Sequence, residues 1–221
     1  MSIITVPFSK PWQVKLPVFV RYLESKWIDR FFDTGELMLS SFSQFRKHKD
    51  EQRRDHYEGA SVLDMKFGGQ PLSGVAYFGD DAYVLSGSMI ESNDLMQKLG
   101  YDGFFRINDT VRFASAVANV IPSFIFGFEG ACIYRDERTV RRGIDGPPLF
   151  IPPAEERETE TLFSGVERRV FEATALEPFF FKSLEYADQG EYRLVWCVSS
   201  IREDRLLVKC PDARKFCERP Q

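Results

Sequence analysis

The chain has 221 residues, 43% of them apolar and 28% charged, which suits one large domain, or one domain with an insertion, around an ordinary globular core. The net charge is −4 and no run of Lys and Arg stands out, so wholesale nucleic-acid binding is excluded as the default and only a local basic patch stays open. Phe occurs 21 times, pointing to a packed aromatic core or an aromatic-lined cleft.

Residues 1–17 read as an arm, because Pro7, Pro11 and Pro17 break regular structure while Phe8 and Trp12 can pin it to the body. Val18 to Leu23 reads as a short buried strand with Arg21 as its only charge. Trp27, Ile28, Phe31 and Phe32 fall at helical spacing over Glu24 to Phe32, and Gly35 suits the C-cap. Leu37 to Phe42 reads as a second strand. Gln44 to Gly59 is the most charged stretch, of mixed sign, and suits a solvated helix or loop. Ala60 to Met65 and Ala76 to Leu85 have strand composition, with a turn at Gly68-Gly69.

Met89 to Gly103 reads as a helix and loop around Leu95, Met96 and Leu99, and Phe104 to Ile107 as a strand. Asn108-Asp109-Thr110 supplies an N-cap for a helix over Val111 to Ile121, with Phe113, Val117 and Val120 on its buried side. Ser123 to Tyr134 has strand composition. Residues 135–161 read as an excursion from the core, a surface loop or flap, because its middle is Pro-rich. Pro178 to Lys182 reads as a strand paired with Glu191 to Val198. Arg205 to Lys209 reads as a last strand before a polar tail over 211–221. The sum is an α+β domain with a split, mostly antiparallel sheet core and flanking helices.

The chemistry concentrates at Asp188 to Trp196. Gly190 makes a turn, and alternation along the strand puts Glu191, Arg193 and Val195 on one face and Tyr192, Leu194 and Trp196 on the other. A carboxylate and a guanidinium on an otherwise apolar strand need a cleft or an ion pair. Glu191 is therefore either a catalytic carboxylate or the buried half of a pair, with Arg193 or Arg21 as its cation. Ser86 and Ser88 end a strand in Ser-Gly-Ser, where Gly87 lets the backbone approach a ligand. No Ser-His-Asp, Cys-His, Walker or dinucleotide glycine pattern occurs.

The order Arg21, Ser86-x-Ser88, Gln189-x-Glu191 resembles the Arg–Ser–Glu class of ADP-ribosyltransferases. The resemblance implies an ADP-ribosyltransferase-like fold with NAD as substrate. It further implies that Arg21 binds the NAD diphosphate, Ser86 and Ser88 shape the nicotinamide pocket, Gln189 orients the substrate and Glu191 is the catalytic glutamate. Here the middle motif has Gly87 where that class has Thr. A second resemblance, to an uncharacterised bacterial family of the broad DUF2971 type, rests on Arg21-Tyr22, Gly35 to Ser40, Arg54-Asp55 with Glu58-Gly59, and Glu191 to Arg193. It implies a phage-defence, toxin or mobile-element setting. Arg54 and Tyr57 are added to the cofactor-binding candidates, Tyr57 as a ring able to stack on nicotinamide or adenine.

The alternative is a non-enzymatic nucleotide- or protein-binding module of the same fold, with its charges in structural ion pairs. Cys132 and Cys197 lie in apolar runs and read as buried small hydrophobes. None of the four cysteines makes a CxxC pair and both histidines are remote from them, so no metal site is expected. No apolar run spans a bilayer and Met1 to Pro7 lacks a signal-peptide pattern. Reduced thiols in a cytoplasm, no membrane, and a macromolecular target of unknown kind complete the expectations.

Overall fold

The computed structural model describes residues 19–46, 59–144, 172, 174, 176–200 and 203–220. The expected arm, the charged segment from 47 to 58 with Arg54 and Tyr57, and residues 145–161 of the expected excursion lie outside them. The described residues form an α+β fold with a mostly antiparallel sheet and few helices.

The main sheet contains β1 (Phe19–Leu23), β2 (Glu36–Ser41), β5 (Ala82–Ser88), β6 (Gly103–Ile107), β7 (Phe124–Ala131), β11 (Glu191–Val198), β12 (Arg205–Lys209) and β13 (Cys217–Glu218). Strand β5 is its axis. One edge of β5 pairs with β11 along its whole length, from Ala82↔Cys197 to Ser88↔Glu191. The other edge is shared: β2 takes Tyr83 and Val84, while β1 takes Ser88. Between those contacts β2 and β1 splay apart, and the ladder on that edge is interrupted beside Ser86.

The two faces of β5 and β11 bury different cores, as the alternation of Glu191 to Trp196 requires. One core holds Tyr83, Leu85, Leu194 and Trp196 under α1 (Ser25–Thr34) and α4 (Thr110–Ala118), the short helices α2 (Phe42–Arg46) and α3 (Asn93–Lys98) falling between them in the chain. Aromatic packing dominates there: Phe31 stacks on Phe105 at 5.0 Å between ring centroids, and the Trp196 indole N–H donates to the Ala114 carbonyl at 3.0 Å. The other core holds Val84, Val195, Phe42 and Phe179 to Phe181. It continues into a smaller sheet of β3 (Ala60–Phe67), β4 (Gln70–Tyr77) and β9 (Thr139–Ile144) through Leu63, Met65 and Val140.

Local signals place most elements. Gly35 takes the left-handed conformation at φ 79° and its N–H returns to Phe31, closing α1 as its composition predicts. Asp109 caps α4 by accepting the Arg112 N–H at 2.9 Å.

Five expectations change. The helix over Val111 to Ile121 ends at Ala118, so Val120 is 39% exposed and Ile121 takes its place in the core. The strand expected over Ala76 to Leu85 divides at Gly79, whose φ of 85° ends β4 and starts the turn into β5. The excursion expected from residue 135 instead supplies β9, which buries Val140 against β3. The strand expected over Pro178 to Lys182 is a 3-10 turn, Glu177–Phe179, followed by the two-residue β10 (Phe181–Lys182). That strand pairs in parallel with β8 (Ile133–Tyr134) and not with β11, because both edges of β11 are taken by β5 and β7. Last, the polar segment after Lys209 is folded: a 3-10 stretch, Pro211–Phe216, buries Ala213, and β13 joins β6.

Candidate functional site

A cavity of about 360 Å3 opens beside the split in the main sheet. Arg21, Ser86, Ser88, Gln189 and Glu191 all line it, so five of the seven sequence candidates converge. The other two, Arg54 and Tyr57, fall outside the described residues.

Ser86 joins the two charged candidates. The interrupted ladder leaves its carbonyl to a side chain, and Arg21 Nη1 donates to it. Its hydroxyl faces the other way and donates to Glu191 Oε1 at 2.9 Å. Ser88 is buried and structural: its hydroxyl donates to the Gln189 carbonyl at 2.7 Å and accepts the Ile90 N–H at 2.9 Å. This bond holds the end of β5 to the turn before β11. Gly190 makes that turn at φ 52°.

Glu191 is 7% exposed and Arg193 2% exposed, on the shared face that strand alternation predicts. Arg193 Nε donates to Glu191 Oε1 at 2.7 Å, and its Nη1 to the Phe179 carbonyl at 2.6 Å. Lys182 donates to Glu191 Oε2 and, at 2.9 Å, to Gln189 Oε1. Its ammonium also sits 5.0 Å from the Tyr186 ring. Burial by itself would push the Glu191 carboxyl up; the Arg193 guanidinium and the Lys182 ammonium outweigh it and hold the group well below the usual carboxylate range. Glu191 thus faces both the cavity and two cations.

Two contributors are absent from the sequence-based set. Lys182 closes the aromatic run Phe179-Phe180-Phe181, and a lysine buried at the end of such a run signals a buried carboxylate partner. Tyr134 carries no such signal. It is the cross-strand neighbour of Lys182 in the β8–β10 pair, and its hydroxyl accepts the Glu191 N–H at 2.5 Å. Burial raises the Tyr134 phenol far above its ordinary range, so it stays neutral. The small parallel pair therefore grips Glu191 twice, through its backbone and its carboxylate.

Gly87 lines the cavity between Ser86 and Ser88 and also makes room for the core. A Cβ built on it would meet Phe19 ring atoms at 2.3 and 2.4 Å. The close approach that the missing side chain permits is to a core ring.

Among the described residues no group of His, Cys, Asp and Glu is arranged to hold a metal, and no helix is long and apolar enough to cross a membrane. Cys132 and Cys197 are buried and in no disulfide, and burial raises the Cys197 thiol to about 12. Comparison with protein-family profiles, curated proteins and solved structures found no match.

Proposed function

We propose that the cavity binds NAD and breaks its nicotinamide–ribose bond, in ADP-ribosyl transfer or NAD hydrolysis. What carries the reading is the meeting of Arg21, Ser86 and Glu191 at one cavity, with Ser86 bonded to both charged groups. The C–N bond breaks with its electron pair going to nicotinamide, and the ribose carbon takes an acceptor nucleophile or water that gives up a proton. A guanidinium suits the diphosphate. A carboxylate offers about four acceptor positions. Ser86, Arg193 and Lys182 use three on Glu191, which leaves one for a ribose hydroxyl.

A second reading is favoured by Lys182 and Arg193. They compensate the charge that would stabilise an oxocarbenium-like state, as in a non-enzymatic nucleotide-binding module of the same architecture. Both readings are compatible with a phage-defence or toxin setting and with a macromolecular target.

The test is incubation with NAD, with nicotinamide release followed by chromatography and NAD binding followed by calorimetry. The first reading predicts release that falls about 100-fold or more in Glu191→Ala and in Glu191→Gln, the size seen when one charge-stabilising group is removed. Binding without release in the wild type, with every acceptor offered, selects the second. Neither binding nor release sinks both.

A further inference from the structure

The cavity does not end at Glu191. It runs outward across the face of β2 and β12 to the exposed side of α1, and this outer half has a different character. Met38 and Leu207 are direct cross-strand neighbours and therefore share one face of the sheet. They are 42% and 50% exposed, an apolar shelf left open. Trp27 stands over the same cavity, 42% exposed, although its neighbours Ile28 and Phe31 are buried in the core. Solvent-exposed Trp, Met and Leu side chains together in one concave site are costly to leave wet and suit a flat apolar ligand group.

The rim of the shelf carries Arg30 and Arg205 together with Glu24 and Glu36. Arg30 sits 5.6 Å from the Trp27 ring and pairs with Glu36, tying α1 to β2 and fixing the ring's position. Arg205 lies opposite Ser40 on β12 and is exposed at the cavity edge. A planar ring platform next to guanidinium groups matches a heteroaromatic base linked to phosphate.

The geometry points to an adenylate subsite: Trp27 is the stacking platform for the base, with Met38 and Leu207 as its apolar floor and Arg205 beside the phosphates. The assignment rests on the proposal that the cavity takes a dinucleotide, and it names the residue that selects the half of that ligand remote from Glu191. Trp27 acts in binding and touches no reacting atom.

The probes are NAD, ADP and nicotinamide mononucleotide, which lacks the adenylate half. Calorimetry with Trp27→Ala is expected to show ADP and NAD affinity reduced about tenfold or more, the effect of losing one base–aromatic stack, with nicotinamide mononucleotide unchanged. Trp27→Phe keeps a ring and is expected to stay within about threefold of wild type. Trp27 is exposed, so both variants are expected to fold, and equal unfolding midpoints confirm it. ADP binding that depends on Trp27, with no nicotinamide ever released, supports the subsite and removes the cleavage reading. NAD cleavage whose KM is unchanged in Trp27→Ala, with ADP binding also unchanged, overturns the subsite alone. No binding of ADP to the wild type at millimolar concentration overturns it outright.

Discussion

Lys182→Met tests whether the buried charges hold the site together. The Lys182 and Glu191 side chains are 11% and 9% exposed, so solvent screens their interaction little. Breaking one partner of such a pair typically costs about 3–5 kcal/mol, because a charge is left buried without compensation. Arg193 still compensates Glu191 in the variant and Ser86 still bonds it, which places the expected loss below that range, at about 1–3 kcal/mol. For a chain of this size each kcal/mol moves the melting temperature by about 2–4 °C, so Tm is expected to fall by roughly 2–12 °C. Urea unfolding at pH 7, with an unchanged m-value, gives the loss directly. Repeating it in high salt separates this pair from surface pairs, since burial protects it from screening. The double variant Lys182→Met with Glu191→Gln removes both charges and is expected to be more stable than the sum of the single effects by at least about 1 kcal/mol. A single variant within about 0.5 kcal/mol of wild type, or an additive double variant, refutes the claim that Lys182 fixes Glu191.

Other outcomes follow from the same geometry. Gly87→Ala drives a methyl group into the Phe19 ring and is expected to cost about 1–3 kcal/mol, with partial recovery when Phe19→Leu is added; wild-type stability in urea would show that the ring yields freely. The Glu191 carboxyl is held below its unfolded value of about 4.3, so its stabilisation is present above that pH and is lost as pH falls through the native value. Urea midpoints are expected to decline below about pH 5, with a shallower decline in Glu191→Gln; an identical acid limb in that variant assigns it to other carboxylates. Tyr192 runs the opposite way: burial raises its phenol to about 12, so its contribution is present below about pH 10 and is lost between there and about pH 12. Tyr192→Phe is expected to flatten that alkaline limb, and an unchanged limb would assign it elsewhere.

Much of the site was legible because strand alternation is a rigid rule. The sharing of one face by Glu191, Arg193 and Val195 needed only the period of two; their register opposite Ser88, Ser86 and Val84 is a property of the fold. Capping residues were equally legible at Gly35 and Asp109, where local chemistry suffices. What failed was pairing between distant segments. The run Pro178 to Lys182 has strand composition, yet its neighbour is Ile133–Tyr134, and nothing within the run marks that. Tyr134 is illegible for this reason, since it reaches Glu191 from β8 beside β10, whereas Lys182 carries the signal of a lysine ending an aromatic run. Gly87 is only half legible for a related reason. A glycine reports that something comes close, and only the fold tells that it is Phe19.

The split at β5 explains why a cavity and a buried ion pair coexist at one residue. Where β2 and β1 part, the Ser86 carbonyl needs a donor and Arg21 supplies it, while on the intact edge β11 places Glu191 beside the Ser86 hydroxyl. The opening thus exists because the ladder is interrupted, and the carboxylate stays ionised because Arg193 and Lys182, which line the same cavity, pair with it. Their presence also restricts what Glu191 can hold. A neutral donor such as a ribose hydroxyl can take the remaining acceptor position without displacing either cation. A ligand cation must compete with both at close range, in a site where electrostatic interactions are weakly screened. The site as built therefore favours hydroxyl and phosphate contacts over direct attraction of positive charge. Under the proposed reading, the charged nicotinamide ring is held through its ribose and diphosphate, and only secondarily by the field of Glu191.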